Sequence, residues 1–406
     1  MWNLIQIKNS SIIINATNIG RRSSGIGIYT LNLLKEIACK KSNLKFIVYL
    51  NKSCAEEIQK IQFPEHITLK WVSSAISPDN LFKGHLLRLL YSNYLSLKHP
   101  KSLMVVTSQL EACFFRSRQV ITVHDIIPLL FKQHHKKQYY YFRYLLKMAL
   151  KKARKIITPS NHTRMMLQKY YNVAEDKIHT IPNGTQRFNE NGSARVSKVE
   201  EKFILYVGRL CPMKNVTSLL KAFYLLHDKI PHRLIICGDG KDYLAEAVRD
   251  GELSRPEFEN ERVDIVGYVS DATIFDLYKK ASLFIFPSFA EGFGLPPLES
   301  MSLGCPVVTS HTESLPEVCG DAAYYIDPYD INTISEGIYQ VLMDKSLRNN
   351  LIRKGYKRAA LFSWQKSADA HLKVIQETIS PYPGKVIHLS QPVYPLPHLS
   401  NKVAVD

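Results

Sequence analysis

Short apolar runs alternate with longer amphipathic stretches from one end of the chain to the other. In the first half the apolar runs are Ser11 to Asn15, Lys45 to Leu50, Leu103 to Thr107, Gln119 to Val123 and Lys155 to Thr158, and an amphipathic stretch, Tyr29 to Cys39, follows the first of them. In the second half they are Lys202 to Val207, Arg233 to Cys237, Val263 to Val266, Leu283 to Phe286, Pro306 to Thr309 and Ala323 to Ile326. Short continuous runs separated by amphipathic stretches predict βαβ units and parallel sheets. The rhythm restarts after Gly184 to Ser193, a polar stretch rich in Gly and Asn that reads as a linker. Two doubly wound α/β domains are therefore expected. In such sheets ligands bind beyond the carboxyl ends of the strands, so the loops that directly follow strands are where chemistry is to be sought.

Length agrees with two domains, since 406 residues are too many for one ordinary core. A composition of 45% hydrophobic and 22% charged residues is that of a globular protein. No apolar run approaches the ~20 residues that cross a bilayer. Met1 to Ile14 carries Gln6, Lys8 and Asn9 where a signal peptide would be continuously apolar, so the expected location is the cytoplasm. The seven cysteines form no Cys-x-x-Cys pair, and Cys237 and Cys305 lie in or beside apolar runs; they read as reduced core thiols. Charge is lopsided: residues 1–200 hold 31 Lys and Arg against 11 Asp and Glu, while residues 201–406 hold 22 against 25. The tail from Ser380 to Asp406, with five prolines and no period, is expected to be irregular.

Several loops carry candidate chemistry. Val207-Gly208-Arg209-Leu210 ends the first strand of the second half, and Met213-Lys214-Asn215 opens the next helix. A guanidinium and an ammonium near a helix N-terminus suit a diphosphate, although two solvated surface cations would look the same. Phe286-Pro287-Ser288 closes a strand, Glu291-Gly292-Phe293-Gly294 makes a tight loop, and Pro296-Pro297 suits a first helical turn that places Glu299 near its start. A carboxylate there can accept hydrogen bonds from paired hydroxyls, can merely complement the helix dipole, or can pair with Glu291 as in a hydrolase. Gly25-Ile26-Gly27 follows a strand and precedes a helix, either as a ligand loop or as a plain turn; it lacks the third glycine of a dinucleotide fingerprint. His124-Asp125 directly follows the strand Gln119 to Val123, where a lone histidine is often structural. No Asp-x-Asp pair and no metal-ligand spacing occurs, so no metal or other cofactor is expected.

Six segments together resemble glycosyltransferase family 4, the retaining GT-B class, over nearly the whole chain. They are Ser24 to Tyr29, Val123 to Pro128, Ile181 to Gly184, Val207 to Leu210, Gly238-Asp239-Gly240 and Glu291 to Glu299. The resemblance implies an α/β GT-B fold, two Rossmann-like domains facing across a cleft. It divides the chain into an acceptor-binding domain at 1–190, a nucleotide-sugar-binding domain at 198–362, a helix at 363–380 packing back toward the first domain, and an irregular tail at 381–406. It also implies that Arg209 and Lys214 bind the donor diphosphate, that Glu291 contacts the donor sugar with Gly292, Phe293, Gly294 and Leu295 around it, and that Glu299 binds the ribose hydroxyls. Gly27 would belong to the donor site, Gly25, Ile26 and Asp125 to the acceptor side, and His124 would approach the reacting centre. Family members often carry Arg after the second glycine, where Ile28 stands here. The look-alikes nearest in kind are bacterial mannosyltransferases of surface polysaccharide synthesis, which implies transfer of mannose from GDP-mannose to a glycan or lipid-linked glycan in lipopolysaccharide, O-antigen or capsule synthesis. A UDP-sugar donor, or a nucleotide-sugar epimerase of the same architecture, is the rival within the fold.

Lys132 to Lys155 holds nine Lys and Arg and no acidic residue. At about 100° per residue, Phe142, Leu145, Leu146, Ala149, Ala153 and Ile156 share one face and Lys136, Tyr140, Tyr144, Lys147, Lys151 and Arg154 the other. Tyrosine mixed with lysine suits an anionic membrane surface, so a peripheral position on the inner face of the plasma membrane is expected; a solvated helix face is the plainer reading. A nucleic-acid binder, argued from the net charge of +17, leaves the glutamates and the Arg209/Lys214 pair unexplained, and no nucleic-acid partner is expected.

Overall fold

Ile12, Ile13 and Ile14 are all buried, so the first apolar run is covered on both faces, as a strand inside a parallel sheet must be. The computed structural model describes residues 11–21, 25–185 and 202–380. Most of the expected linker, from residue 186, and the tail 381–406 lie outside the described residues. The chain divides into two compact units, the first made of the described residues up to Gly184 together with those from Ser363, the second of those within Thr185–Phe362.

The first unit is built on seven parallel strands, β1 (Ile12–Asn15), β2 (Phe46–Asn51), β3 (Ile67–Val72), β4 (Leu103–Val106), β5 (Gln119–Thr122), β6 (Lys155–Thr158) and β7 (Ile178–Thr180), in the order β3-β2-β1-β4-β5-β6-β7. β3 and β7 are edge strands that the hydrophobic pattern does not reveal. β3 buries only Ile67 and exposes Thr68, Lys70 and Trp71, whereas β7 is three residues long. Strand order reverses between β1 and β4, so the loops after these two strands splay apart at a topological switch. The helix after β1 runs Gly25–Ala38, four residues earlier than the amphipathic pattern suggests. Gly25 and Gly27 are therefore helix residues rather than a loop before it, and neither has a positive φ. Trp364–Ile379 is the last described helix; it buries Ala368, His371, Leu372 and Ile375 in this unit.

The basic segment departs from an ideal helix. Lys136–Tyr140 and Lys147–Lys152 are joined by a π turn, Tyr141–Leu146, whose extra residue shifts the helical phase. Tyr141, Phe142, Leu146, Ala149 and Leu150 face the core, while Leu145, expected on that face, is exposed. Ile156 lies on β6 instead of the helix. Lys136, Tyr140, Tyr144, Lys147, Lys151 and Arg154 are all exposed.

The second unit has six parallel strands, β8 (Phe203–Val207), β9 (Arg233–Cys237), β10 (Val263–Gly267), β11 (Leu283–Phe286), β12 (Val307–Ser310) and β13 (Ala323–Ile326), in the order β10-β9-β8-β11-β12-β13. Its switch lies between β8 and β11. Past their ends β8 and β9 stay tightly apposed: Gly208 N–H donates to the Cys237 carbonyl at 2.9 Å, and a Cβ on Gly238 would lie 1.9 Å from the Gly208 oxygen. Only glycine allows that approach. All seven cysteines are free, but Cys39 is exposed and Cys211 half-buried, so these two are not core thiols. Among the described residues no helix is long and apolar enough to cross a membrane.

Candidate functional site

In the second unit the loops leaving β8 and β11, the strands that flank the switch, bring two of the predicted residues together. The Lys214 ammonium makes an ion pair with the Glu291 carboxylate, and it also sits 5.4 Å from the centre of the Phe286 ring. Both side chains are partly buried, where an ion pair is screened less than at the surface. Lys214 ends a single 3-10 turn, Pro212–Lys214, rather than opening a helix. Asn215 follows with φ 57°, a left-handed conformation that asparagine tolerates, and the helix Val216–Tyr224 begins after it. The buried Asn215 amide donates to the Pro287 carbonyl at 3.1 Å and the Pro328 carbonyl at 2.7 Å, which ties the lysine turn to the loop after β11.

The Glu291 loop is itself pinned from the segment that follows β12. The Ser314 hydroxyl lies 2.8 Å from the Glu291 carbonyl oxygen and 3.1 Å from that of Phe293, and the Thr312 hydroxyl lies 3.0 Å from the Phe289 carbonyl oxygen. Gly294 adopts φ 107°, and a Cβ there would meet Leu315 at 2.8 Å. Phe293 is a core residue packed edge-on to Phe362, which leaves only its backbone to the loop. Gly292 and Leu295, expected near the donor, flank that same backbone at partly buried positions. Arg209 is exposed just beyond β8, and its guanidinium has no ion pair among the described residues.

Glu299 corrects an expectation. It is the fifth residue of the helix Leu295–Ser302, in its second turn, not at the start. Burial raises its carboxyl to about 7, repulsion from Asp271 adds to the rise, and the Tyr278 hydroxyl opposes it. A carboxylate serving only to complement the helix dipole would be shifted the other way, since the dipole favours the ionised form. The hydrolase-pair alternative also loses ground, because Glu291 is already held by Lys214.

In the first unit His124 follows β5 and is buried. Its Nε2 lies 2.9 Å from the Thr107 carbonyl oxygen, its backbone N–H donates to Gln109 Oε1 at 3.0 Å, and its ring packs edge-on against Tyr29 at 4.6 Å. Burial pushes its pKa down to about 4 against the Thr107 hydrogen bond, so the ring is neutral near pH 7. A carbonyl can only accept, which assigns the proton to Nε2 and leaves Nδ1 as the acceptor. Tyr29 is held in turn: its hydroxyl lies 2.6 Å from His371 Nε2, and His371 Nδ1 lies 2.7 Å from the Ser367 carbonyl oxygen. Asp125, expected on the acceptor side, accepts from Ile127 N–H at 3.0 Å and so caps the following turn. Gly25 is exposed and Gly27 buried within the helix, with Ile26 between them.

Asn215, Thr312, Ser314, Gln109, Tyr29 and His371 were not given roles from sequence. Only Asn215, beside the lysine in a loop that needs a left-handed residue, left a local signal; the others act on partners far away in the chain.

Two doubly wound parallel units, the second with the Lys214–Glu291 pair at its switch point, have the layout of the GT-B fold. Residues 188–358 match the family described as Glycosyl transferases group 1, and residues 24–186 match Glycosyltransferase Family 4. The chain belongs to this family. It is 30% identical over 366 residues to O-antigen chain mannosyltransferase B of Escherichia coli, covering 84% of this chain and 93% of that one. It is 31% identical over 330 residues to O-antigen chain mannosyltransferase RfbU of Salmonella typhimurium, covering 79% and 87%. Its fold superposes on sucrose-phosphate synthase from Thermosynechococcus elongatus with a TM-score of 0.71 at 21% identity, over 91% of this chain and 99% of that one.

Proposed function

We propose that this chain transfers mannose from GDP-mannose, with retention of configuration, to a glycan or lipid-linked glycan acceptor of O-antigen synthesis. The observation that carries the donor reading is the Lys214–Glu291 pair at the β8/β11 switch, with Glu299 eight residues beyond. The choice of mannose rests on the two O-antigen mannosyltransferases to which the chain is about 30% identical.

The roles follow from the charges. Lys214 and Arg209 hold the diphosphate and stabilise the negative charge that grows on it as the glycosidic bond breaks, which is the task a metal would otherwise perform. Released from Lys214, Glu291 accepts hydrogen bonds from sugar hydroxyls. Glu299, ionised in the complex, accepts from the two ribose hydroxyls. Neutral His124 accepts a hydroxyl hydrogen bond through Nδ1. The chain offers no enzyme nucleophile in this scheme; the departing diphosphate takes the acceptor proton on the same face of the sugar. Lys132 to Lys155 is the segment that would meet an anionic membrane surface, where a lipid-linked acceptor resides.

A donor panel tests the reading by released nucleoside diphosphate. GDP-mannose is expected to turn over with acceptor. Turnover of a UDP-hexose instead refutes the mannose assignment, an acceptor-independent nucleotide-linked product indicates an epimerase, and silence with every nucleotide-sugar refutes the donor site.

A further inference from the structure

We propose that the helix Leu81–Lys98 inserts an apolar ridge into the surface of an anionic bilayer, as the hydrophobic partner of the basic segment Lys132 to Lys155. The inference rests on the membrane reading of that segment and adds to it a second element that the sequence pattern did not single out.

Phe82, Leu86, Leu90, Tyr94 and Leu97 recur every three or four residues, so they form one line along the helix. They are 46–75% exposed, while Leu89, Ser92, Leu95 and Ser96 on the other side are buried. A helix that is already anchored by one face has no folding reason to present a second apolar line to water. Such a continuous exposed stripe marks a surface that meets something apolar.

Charge around the ridge identifies that partner. The Lys137 ammonium lies 5.3 Å from the Phe82 ring, Lys152 lies 5.5 Å from the exposed Phe115 ring, and Lys98 lies 5.8 Å from the Tyr94 ring. Lys137 of the basic segment thus borders the ridge itself, Lys98 borders it from the same helix, and Lys152 covers a further exposed ring, Phe115. Tyr140, Tyr144 and Met148 are exposed among them. From Leu81 to Asn172 the sequence holds only two acidic residues, Glu111, buried against Arg88, and Asp125. Lysines around exposed aromatic and leucine side chains match a surface that is negative outside and apolar a few ångströms deeper. A second copy docked through the same face would set lysine against lysine, which opposes self-association.

The test uses the full chain with vesicles of phosphatidylglycerol and phosphatidylethanolamine, and with phosphatidylcholine vesicles as the uncharged control. Wild type is expected to float with the anionic vesicles. Leu86→Glu with Leu90→Glu is expected to lower that partition at least tenfold at an unchanged melting temperature. Leu90→Trp is expected to shift its emission to the blue and to be quenched by brominated lipid. Lys147→Ala with Lys151→Ala is expected to weaken binding mainly at low salt. If wild type ignores anionic vesicles, the membrane reading itself falls. If wild type binds but the glutamate variant binds equally and the indole introduced by Leu90→Trp is not quenched, the ridge proposal alone falls. A glutamate variant that converts a dimer to a monomer without affecting flotation also overturns it, in favour of a self-association face.

Discussion

If Glu299 receives the ribose hydroxyls, donor binding must release a proton, because burial holds this carboxyl at about 7 in the free protein and only the carboxylate can accept from both hydroxyls. The size of the effect follows from that value. At about pH 6 roughly nine-tenths of Glu299 is protonated and at about pH 8 roughly one-tenth, so the donor dissociation constant rises about tenfold from the higher pH to the lower, or ~1.4 kcal/mol. A nucleotide-sugar is the proper ligand, since its diphosphate diester has no proton to lose in this range. Isothermal calorimetry at about pH 6, in two buffers of different ionisation enthalpy, is expected to count close to one proton released per donor bound. Glu299→Gln is expected to bind more weakly at every pH and to show no slope. A flat wild-type profile, or the same slope in the glutamine variant, refutes the assignment of Glu299 to the ribose.

Lys214→Ala removes the cation proposed to meet the leaving diphosphate and is expected to lower kcat ~10²-fold or more; an unchanged kcat in steady-state assays removes Lys214 from the chemistry. Gly238→Ala forces a Cβ to within 1.9 Å of the Gly208 oxygen, so a melting-temperature loss equivalent to ~2 kcal/mol or more is expected, and a neutral variant contradicts the apposition of β8 and β9. His124 and His371 are both pushed down to about 4 by burial, so each stabilises the fold above the ordinary histidine range, and that stability is lost as pH falls from about 6.5 toward 4. Glu299, shifted upward, acts oppositely and costs stability as pH rises from about 4.5 to about 7. His371→Gln is expected to flatten the acid side of a melting-temperature profile and Glu299→Gln the neutral side; unaltered profiles contradict these shifts.

The central strands could be read from sequence because a strand buried on both faces, such as Ile12–Asn15, is a plain apolar run. β3 could not, since an edge strand with Thr68, Lys70 and Trp71 in water has no such signature. The helix phase of the basic segment failed at Leu145 for a different reason: a π turn adds a residue that no fixed angular step anticipates. Lys214 and Glu291 were identified by residue type and motif, and their contact is a product of the switch between β8 and β11. The elevated carboxyl of Glu299 was not legible at all. It depends on Asp271 and Tyr278, which reach it from another helix, and desolvation is a property of the assembled fold.

The resting bond between Lys214 and Glu291 makes the cation available only on condition. An inorganic phosphate arriving alone must tear the ammonium from its carboxylate and leave that carboxylate stranded, whereas a ligand that brings hydroxyls for Glu291 along with anionic oxygens for Lys214 satisfies both ends at once. At Lys214 the resting pair thus disfavours the phosphate ions that surround it relative to one bifunctional visitor.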